Sequence, residues 1–512
     1  MSSFSTSQTF VLPSPPVVVS STCQQPSMKG YSDSGRGPHA VMVSLPTPGH
    51  MNPMLKLAKL LHSKGFQITF VVTESTHHRL RDSLQLDTLD GFRFETVPDV
   101  RLVSSSRDWM KYIEEFGVYL RTNFPAHFRD LLTRLKARST KPVTCVVAGF
   151  MSSALHVAEE FGILKLLFWT SSACGFMGTL QIESLITKGY IPLKDEFCLR
   201  NGYLETELNW IPGMKGVRLK DITRFVRTTK HGDVLLSLEK EEAEIGYQSW
   251  GIILNTFDEL ESDVITALRH KFPRLYTLGS MSALVDRVAS VESNPIHLSQ
   301  WNDDTDCLGW LDNRKPSSVV YVNFGSITIL TPGQLLEFAN GLAASGHAFL
   351  WIIRPDLVSE ESSVLISEFR EKTRDRGYLT SWCCQEEVLA HPSVGCFLTH
   401  AGWNSVLESI ENGIPMLCWP FFAEQPTNCR YLCGEWGIGM EIDSEVKREE
   451  VGRLVGEVMG NGEKSVEMRR KALVWKQKAA KAVGIGGGGT SYVNLENLVR
   501  DLKEEEIKIK CL

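Results

Sequence analysis

The stretch VGCFLTHAGWNSVLE (residues 394–408) reads as an apolar strand from Val394 to Thr399, a tight turn at Ala401-Gly402 and a helix opening at Asn404-Ser405. A helix N-terminus presents unpaired backbone N–H groups and the positive end of the dipole, so it suits a phosphate. His400 before the turn, with Asn404 and Ser405 at the helix start, adds side-chain donors for the same anion. Glu408, one turn further on, can accept hydrogen bonds from sugar hydroxyls. Working outward, Trp382 offers a flat face for a base, and Glu424-Gln425 supply a polar pair fit for a hexose. Together these residues suit a nucleotide sugar. Strand–turn–helix phosphate sites serve many ligands, however, and every residue has a plainer role. Trp382 would pack in a core, His400, Asn404 and Ser405 would cap the helix, and Glu408 would face solvent.

The strand-then-helix rhythm recurs along the chain. HAVMVSLP (39–46) ends in a Pro-Gly turn and leads into the helical period of MNPMLKLAKLLHSKG (51–65). FQITFVVT (66–73) and VTCVVAG (143–149) are further strands, as are SSVVYVNFGS (317–326), AFLWIIRP (348–355), GYLTSW (377–382) and IPMLCWP (414–420). Repeated βα units predict an α/β fold with doubly wound parallel sheets. At 512 residues the chain exceeds what one core usually supports, so two domains are expected. A polar, irregular run over 280–306 is read as the linker between them.

Composition narrows the class. A net charge of −6 leaves no footprint for nucleic acid or an anionic membrane, and no apolar run reaches spanning length. Twelve Cys without a CxxC pair fit reduced thiols and a cytoplasmic protein. Residues 1–36 are rich in Ser and Pro, with Lys29 and Arg36 their only basic residues. A disordered extension is expected there, with a transit peptide or a start at Met28 as alternatives.

His50 follows the first strand at the start of the first helix, where open α/β sheets place ligand-binding residues. It can serve as a general base or merely fill the turn. Two motifs mislead. Asp304-Thr305-Asp306 matches a metal-binding DxD but lies in the polar linker, so a solvated turn is the better reading. GIGGGG (484–489) fits GxGxxG by letter but follows a helical run, whereas a dinucleotide fingerprint follows a strand.

The segment from Trp382 to Gln425 resembles the 44-residue signature box of plant family-1 UDP-glycosyltransferases. LPTPGHMNPMLKLAKLLHSKG (45–65), FWTSSACGFMG (168–178), WIPGMKGVRLKD (210–221) and SYVNLENLV (491–499) extend the similarity over about nine-tenths of the chain, closest to the subgroup that includes cyanohydrin glucosyltransferases. The resemblance implies a GT-B architecture of two Rossmann-like domains, 37–279 for the acceptor and 307–484 for the UDP-sugar, with 485–512 packing back on the first. It implies a UDP-glucose-dependent, inverting O-glucosyltransferase acting on a small lipophilic metabolite such as a terpenoid, phenylpropanoid, flavonoid or cyanohydrin. No metal or other cofactor is expected, and a monomer is.

The same resemblance assigns roles. His50 becomes the catalytic base. Trp382 stacks on uracil, Gln385 and Glu408 hold the nucleoside end, and Ser326, His400, Asn404 and Ser405 meet the diphosphate. Trp403, Glu424 and Gln425 read the sugar: an uncharged Trp403 argues against glucuronate, and Gln425 is associated with glucose over galactose. Thr170 resembles a contact to the sugar or its β-phosphate. Phe150, Trp109, Met110 and Phe176 are candidates for an apolar acceptor pocket. One departure stands out. Relatives carry an Asp partner for the His in a stretch like VSDGVMS, whereas this chain reads VVAGFMS (146–152), without the Asp. Its loss predicts a slower enzyme, or a UDP-sugar-binding protein with impaired catalysis.

Overall fold

A computed structural model describes residues 37–83, 90–100, 109–138, 141–288, 303–355 and 360–511. The expected extension over 1–36 and much of the expected linker lie outside them. Seven strands form a first sheet: β1 (His39–Ser44), β2 (Gln67–Thr73), β3 (Phe92–Val97), β4 (Cys145–Gly149), β5 (Leu164–Trp169), β6 (Gly251–Leu254) and β7 (Leu275–Thr277), in the order β3-β2-β1-β4-β5-β6-β7. Six form a second: β8 (Val319–Asn323), β9 (Ala348–Ile352), β10 (Gly377–Thr380), β11 (Val394–Thr399), β12 (Met416–Cys418) and β13 (Gly439–Glu441), in the order β10-β9-β8-β11-β12-β13. Neighbouring strands pair in parallel throughout both sheets. Helices cover both faces, which is why β1, β4, β8 and β11 are unbroken runs of buried residues rather than alternating ones.

Strand order decides where a ligand can sit. In the first sheet the order reverses between β1 and β4, whose C-terminal ends are level because Ser44 pairs with Gly149. In the second it reverses between β8 and β11, where Asn323 pairs with Thr399. Loops leaving opposite ways at such points open a crevice. The two crevices face each other across the domain boundary, giving the expected GT-B arrangement.

The closing helix, Thr490–Cys511, belongs to the first domain's core. Leu495, Leu498, Val499 and Leu502 are buried with Met42, Phe70 and Leu166, each burial contributing about 1.5–3 kcal/mol. Tyr276 also donates to Asp501 (2.7 Å). One expectation needs correction. The stretch read as irregular opens with a helix, Met281–Val288, packed on the helix Pro48–Ser63. Only Met281 and Leu284 make its buried stripe, too short a signal to stand out from polar surroundings. Asp304 accepts from the Asp306 backbone N–H (2.9 Å) and from the Tyr378 hydroxyl (3.0 Å), so it shapes the turn into the helix Asp306–Asp312. The glycine run joins two helices, Glu463–Ala482 and Thr490–Cys511.

A candidate active site between the two sheets

The cleft between the switch points is lined by Thr47–His50 and Thr170 from the first domain and by Ser326, Trp382, Gln385, His400, Trp403–Ser405, Glu408, Glu424 and Gln425 from the second. Every residue expected in the donor site therefore reaches one cavity. Phe150 does not line it but lies directly behind His50.

The expected anion cradle is built by backbone. After β11, Ala401 takes φ 61° and turns the chain into the helix Trp403–Asn412, whose N-cap, Gly402, makes no side-chain cap hydrogen bond. The first N–H groups of that helix are thus left for the cleft. Two glycines let the His400 ring fit. A Cβ on Gly402 would come within 2.4 Å of the imidazole, and one on Gly325, itself at φ 74°, within 2.6 Å. Burial, reinforced by the charge of Arg354, lowers the His400 pKa to about 4, so its ring is neutral at pH 7.

A relay of amides lies where the nucleoside end is expected. Gln385 Nε2 donates to Glu408 Oε2 (2.7 Å) and Ser405 Oγ (2.8 Å), while its Oε1 accepts from Asn323 (2.8 Å) and Tyr321 (3.2 Å). Burial first, then the charge of Glu386, raises Glu408 to about 8, against the pull of Lys56. Gln425 is oriented by two backbone N–H groups, of Phe421 and Phe422, that donate to its Oε1 at 2.8 Å. Glu424 accepts from Ser171 (2.5 Å), and burial raises its pKa. Trp403 lines the cleft while its ring packs in the second domain's core, and its indole N–H donates to the Asn255 carbonyl (2.6 Å) across the domain boundary. Phe176, expected in an acceptor pocket, is fully buried against Trp169 and Phe272. The side chains of Trp109 and Met110 lie outside the described residues.

His50 occupies the third position of its helix, after Pro48 at N1. Its Nδ1 is 2.6 Å from the Thr170 hydroxyl at the end of β5, and the Phe150 ring packs on the imidazole, 4.7 Å between centroids. Phe150, just after β4, takes φ 54°, and Trp169 backs it. A Cβ at Gly149 would meet Met54 Cε at 3.1 Å, so a side chain there would need the methionine end to shift by a few tenths of an ångström. With desolvation and no nearby carboxylate acting on it, His50 is lowered to about 4.

Sequence reading missed the contacts that join the domains. Asn404 Nδ2 donates to the Gly49 carbonyl (2.7 Å), and Asn255 Nδ2 donates to Asn404 Oδ1 and to the Thr170 carbonyl, both at 3.1 Å. Ser172 donates to Asn428 (2.8 Å), and Lys56 pairs with Glu386. Asn255 sits just past β6 with no motif around it; only its partners give it a role.

Comparison with known proteins places this architecture. Residues 310–474 match the family model described as UDP-glucoronosyl and UDP-glucosyl transferase. The chain is 52% identical over 471 residues to 7-deoxyloganetin glucosyltransferase of Gardenia jasminoides, covering 91% of this chain and 97% of that one. It is 50% identical over 469 residues to (R)-mandelonitrile beta-glucosyltransferase of Prunus dulcis, covering 90% and 96%. A crystal structure of UDP-glucose: anthocyanidin 3-O-glucosyltransferase in complex with UDP superimposes with a TM-score of 0.76 at 26% identity, covering 91% of this chain and 99% of that one. The chain belongs to the UDP-glycosyltransferase family and, within it, resembles plant glucosyltransferases of specialised metabolism. No helix among the described residues is long and apolar enough to cross a membrane.

Proposed function

We propose that this protein is an inverting UDP-glucose-dependent O-glucosyltransferase for a hydroxyl of a small lipophilic metabolite. One observation carries the reading: the Asn404 side chain at the mouth of the anion cradle bonds the carbonyl of Gly49, the residue next to His50. Base and leaving-group cradle are therefore adjacent across the cleft. With Nδ1–H donating to Thr170, Nε2 takes the acceptor's proton as its oxygen bonds the anomeric carbon. The bond from that carbon to the β-phosphate oxygen breaks, and its electron pair leaves on UDP. Helix N–H groups, Ser326, Asn404 and neutral His400 stabilise that charge without requiring a metal. An α-linked donor gives a β-glucoside. Gln425, oriented by the backbone, supports glucose as the sugar. The test is turnover of UDP-glucose on a panel of alcohols and phenols, with the product anomer read by NMR. An α-product would overturn the displacement.

Thr170 replaces the expected Asp as partner of His50 on this reading. Removing its hydroxyl in Thr170→Val should lower kcat on aliphatic alcohols about tenfold, with a smaller loss on phenols and UDP affinity unchanged. Equal kcat in the variant would leave the hydroxyl no part in catalysis. A neutral partner also predicts an unusual pH profile. With His50 held near 4, log kcat/KM should stay level as pH drops through 6.5 and fall only towards 4, because the imidazole protonates late. An inflection at 6.5 or above would reveal a carboxylate supporting the ring.

The second reading, binding without efficient turnover, is favoured by the same imidazole, which has no carboxylate to stabilise its protonated form. Tight UDP-glucose binding with no product from any acceptor on the panel would select it.

A further inference from the structure

Three cysteines that do not line the cleft come together between the end of β12 and the helix Gln425–Arg430. Cys418 ends β12, Cys429 lies in the helix Gln425–Arg430, and Cys433 lies in the π-helical turn Tyr431–Glu435 that follows. Their sulfurs all lie within 4.8 Å of one another, with Cys429 and Cys433 3.9 Å apart. A cation bound to three sulfurs at about 2.3 Å in a plane needs them about 4.0 Å apart, which this triangle approaches. The π turn is closed by the Trp436 N–H donating to the Tyr431 carbonyl (2.8 Å), and such turns are frequent at functional sites. Cys418 and Cys429 are buried, whereas Cys433 is partly exposed and gives a way in. The side-chain hydrogen bonds of the three thiols run among themselves. Arg430 and Lys464 bring positive charge to Cys433, and Glu441 brings negative charge to Cys418.

We propose that Cys418, Cys429 and Cys433 form a binding site for a soft, thiophilic cation of the Cu(I) class. Three thiolates are the donor set such an ion prefers, and no fourth His, Cys or carboxylate joins them among the described residues, as tetrahedral zinc would require. Each sulfur gives up its proton as it bonds the ion, so up to three protons leave. Cu(I) with three thiolates carries two negative charges, which Arg430 and Lys464 offset. The bound ion ties the end of β12 to the helix that begins at Gln425, and so stiffens one wall of the cleft without entering it.

The test uses the reduced, full-length protein under nitrogen, titrated with Cu(I) held by a coloured competing chelator. One Cu(I) per chain should be withdrawn from the chelator, and the thermal midpoint should rise, since an ion bound only by the native state stabilises it. Cys433→Ser should bind at least about tenfold more weakly and lose the thermal shift, while Cys511→Ser, at an exposed position elsewhere, should behave as wild type. Circular dichroism checks that the variant folds, and Cys418→Ser supplies the same readout should Cys433→Ser fail. No withdrawal of Cu(I), or equal withdrawal by the serine variants, would overturn the proposal.

Discussion

His50→Ala should lower turnover of UDP-glucose by about 10²–10⁴-fold while leaving UDP affinity within error, because it removes the proton acceptor and touches nothing in the anion cradle. The effect should be largest on aliphatic alcohols, whose hydroxyls stay protonated, and smaller on phenols. Combining His50→Ala with Thr170→Val should cost no more than His50→Ala alone, since Thr170 acts only through the imidazole Nδ1, 2.6 Å away. Rate constants and calorimetric UDP affinities for the four proteins check this. Additive losses would mean that Thr170 touches the donor sugar directly, and a His50→Ala protein of undiminished turnover would move the base elsewhere.

Glu408→Ala should weaken UDP-glucose by roughly 1–3 kcal/mol, because it removes the carboxyl that Gln385 positions and with it one of that amide's two acceptors. The raised pKa refines the expectation. A carboxyl lifted to about 8 is mostly protonated at neutral pH in the empty cleft, and a glutamine resembles it in that form. Glu408→Gln should therefore bind UDP-glucose nearly as well as wild type at about pH 6.5 and fall behind at about pH 9, where the native side chain is ionised and accepts more strongly. Calorimetry at the two pH values decides it. Glu408→Ala binding unchanged at both would take Glu408 out of the site.

The comparison between these variants also bears on the missing carboxylate. A protein that binds UDP-glucose through Glu408 but gains nothing from His50 would be a binder whose first domain has lost its chemistry. A protein that needs both has replaced a charged partner with a hydroxyl. Thr170 was visible in FWTSS as a strand-end residue facing the sugar, yet its contact with His50 spans 120 positions and depends on β1 and β5 flanking β4.

Local chemistry made much of this protein legible from its residues alone. Apolar runs announced β1, β2, β4, β8, β9, β10, β11 and β12, and the turn before Asn404 announced a helix N-terminus suited to an anion, because strand patterning and helix capping are set by neighbours within a few positions. Short β7 and β13, the half-exposed β3 and the helix Met281–Val288 gave weaker signals, since a few buried residues leave little period to detect. Tertiary structure alone decided the rest. The Trp403 indole met its acceptor in the Asn255 carbonyl, Gln425 was aimed by two backbone N–H groups, and Phe150 came to pack on His50. Each depends on groups far apart in sequence meeting at a domain boundary, where hydrogen-bond partners are supplied by the fold and carry no signature in the segments that provide them.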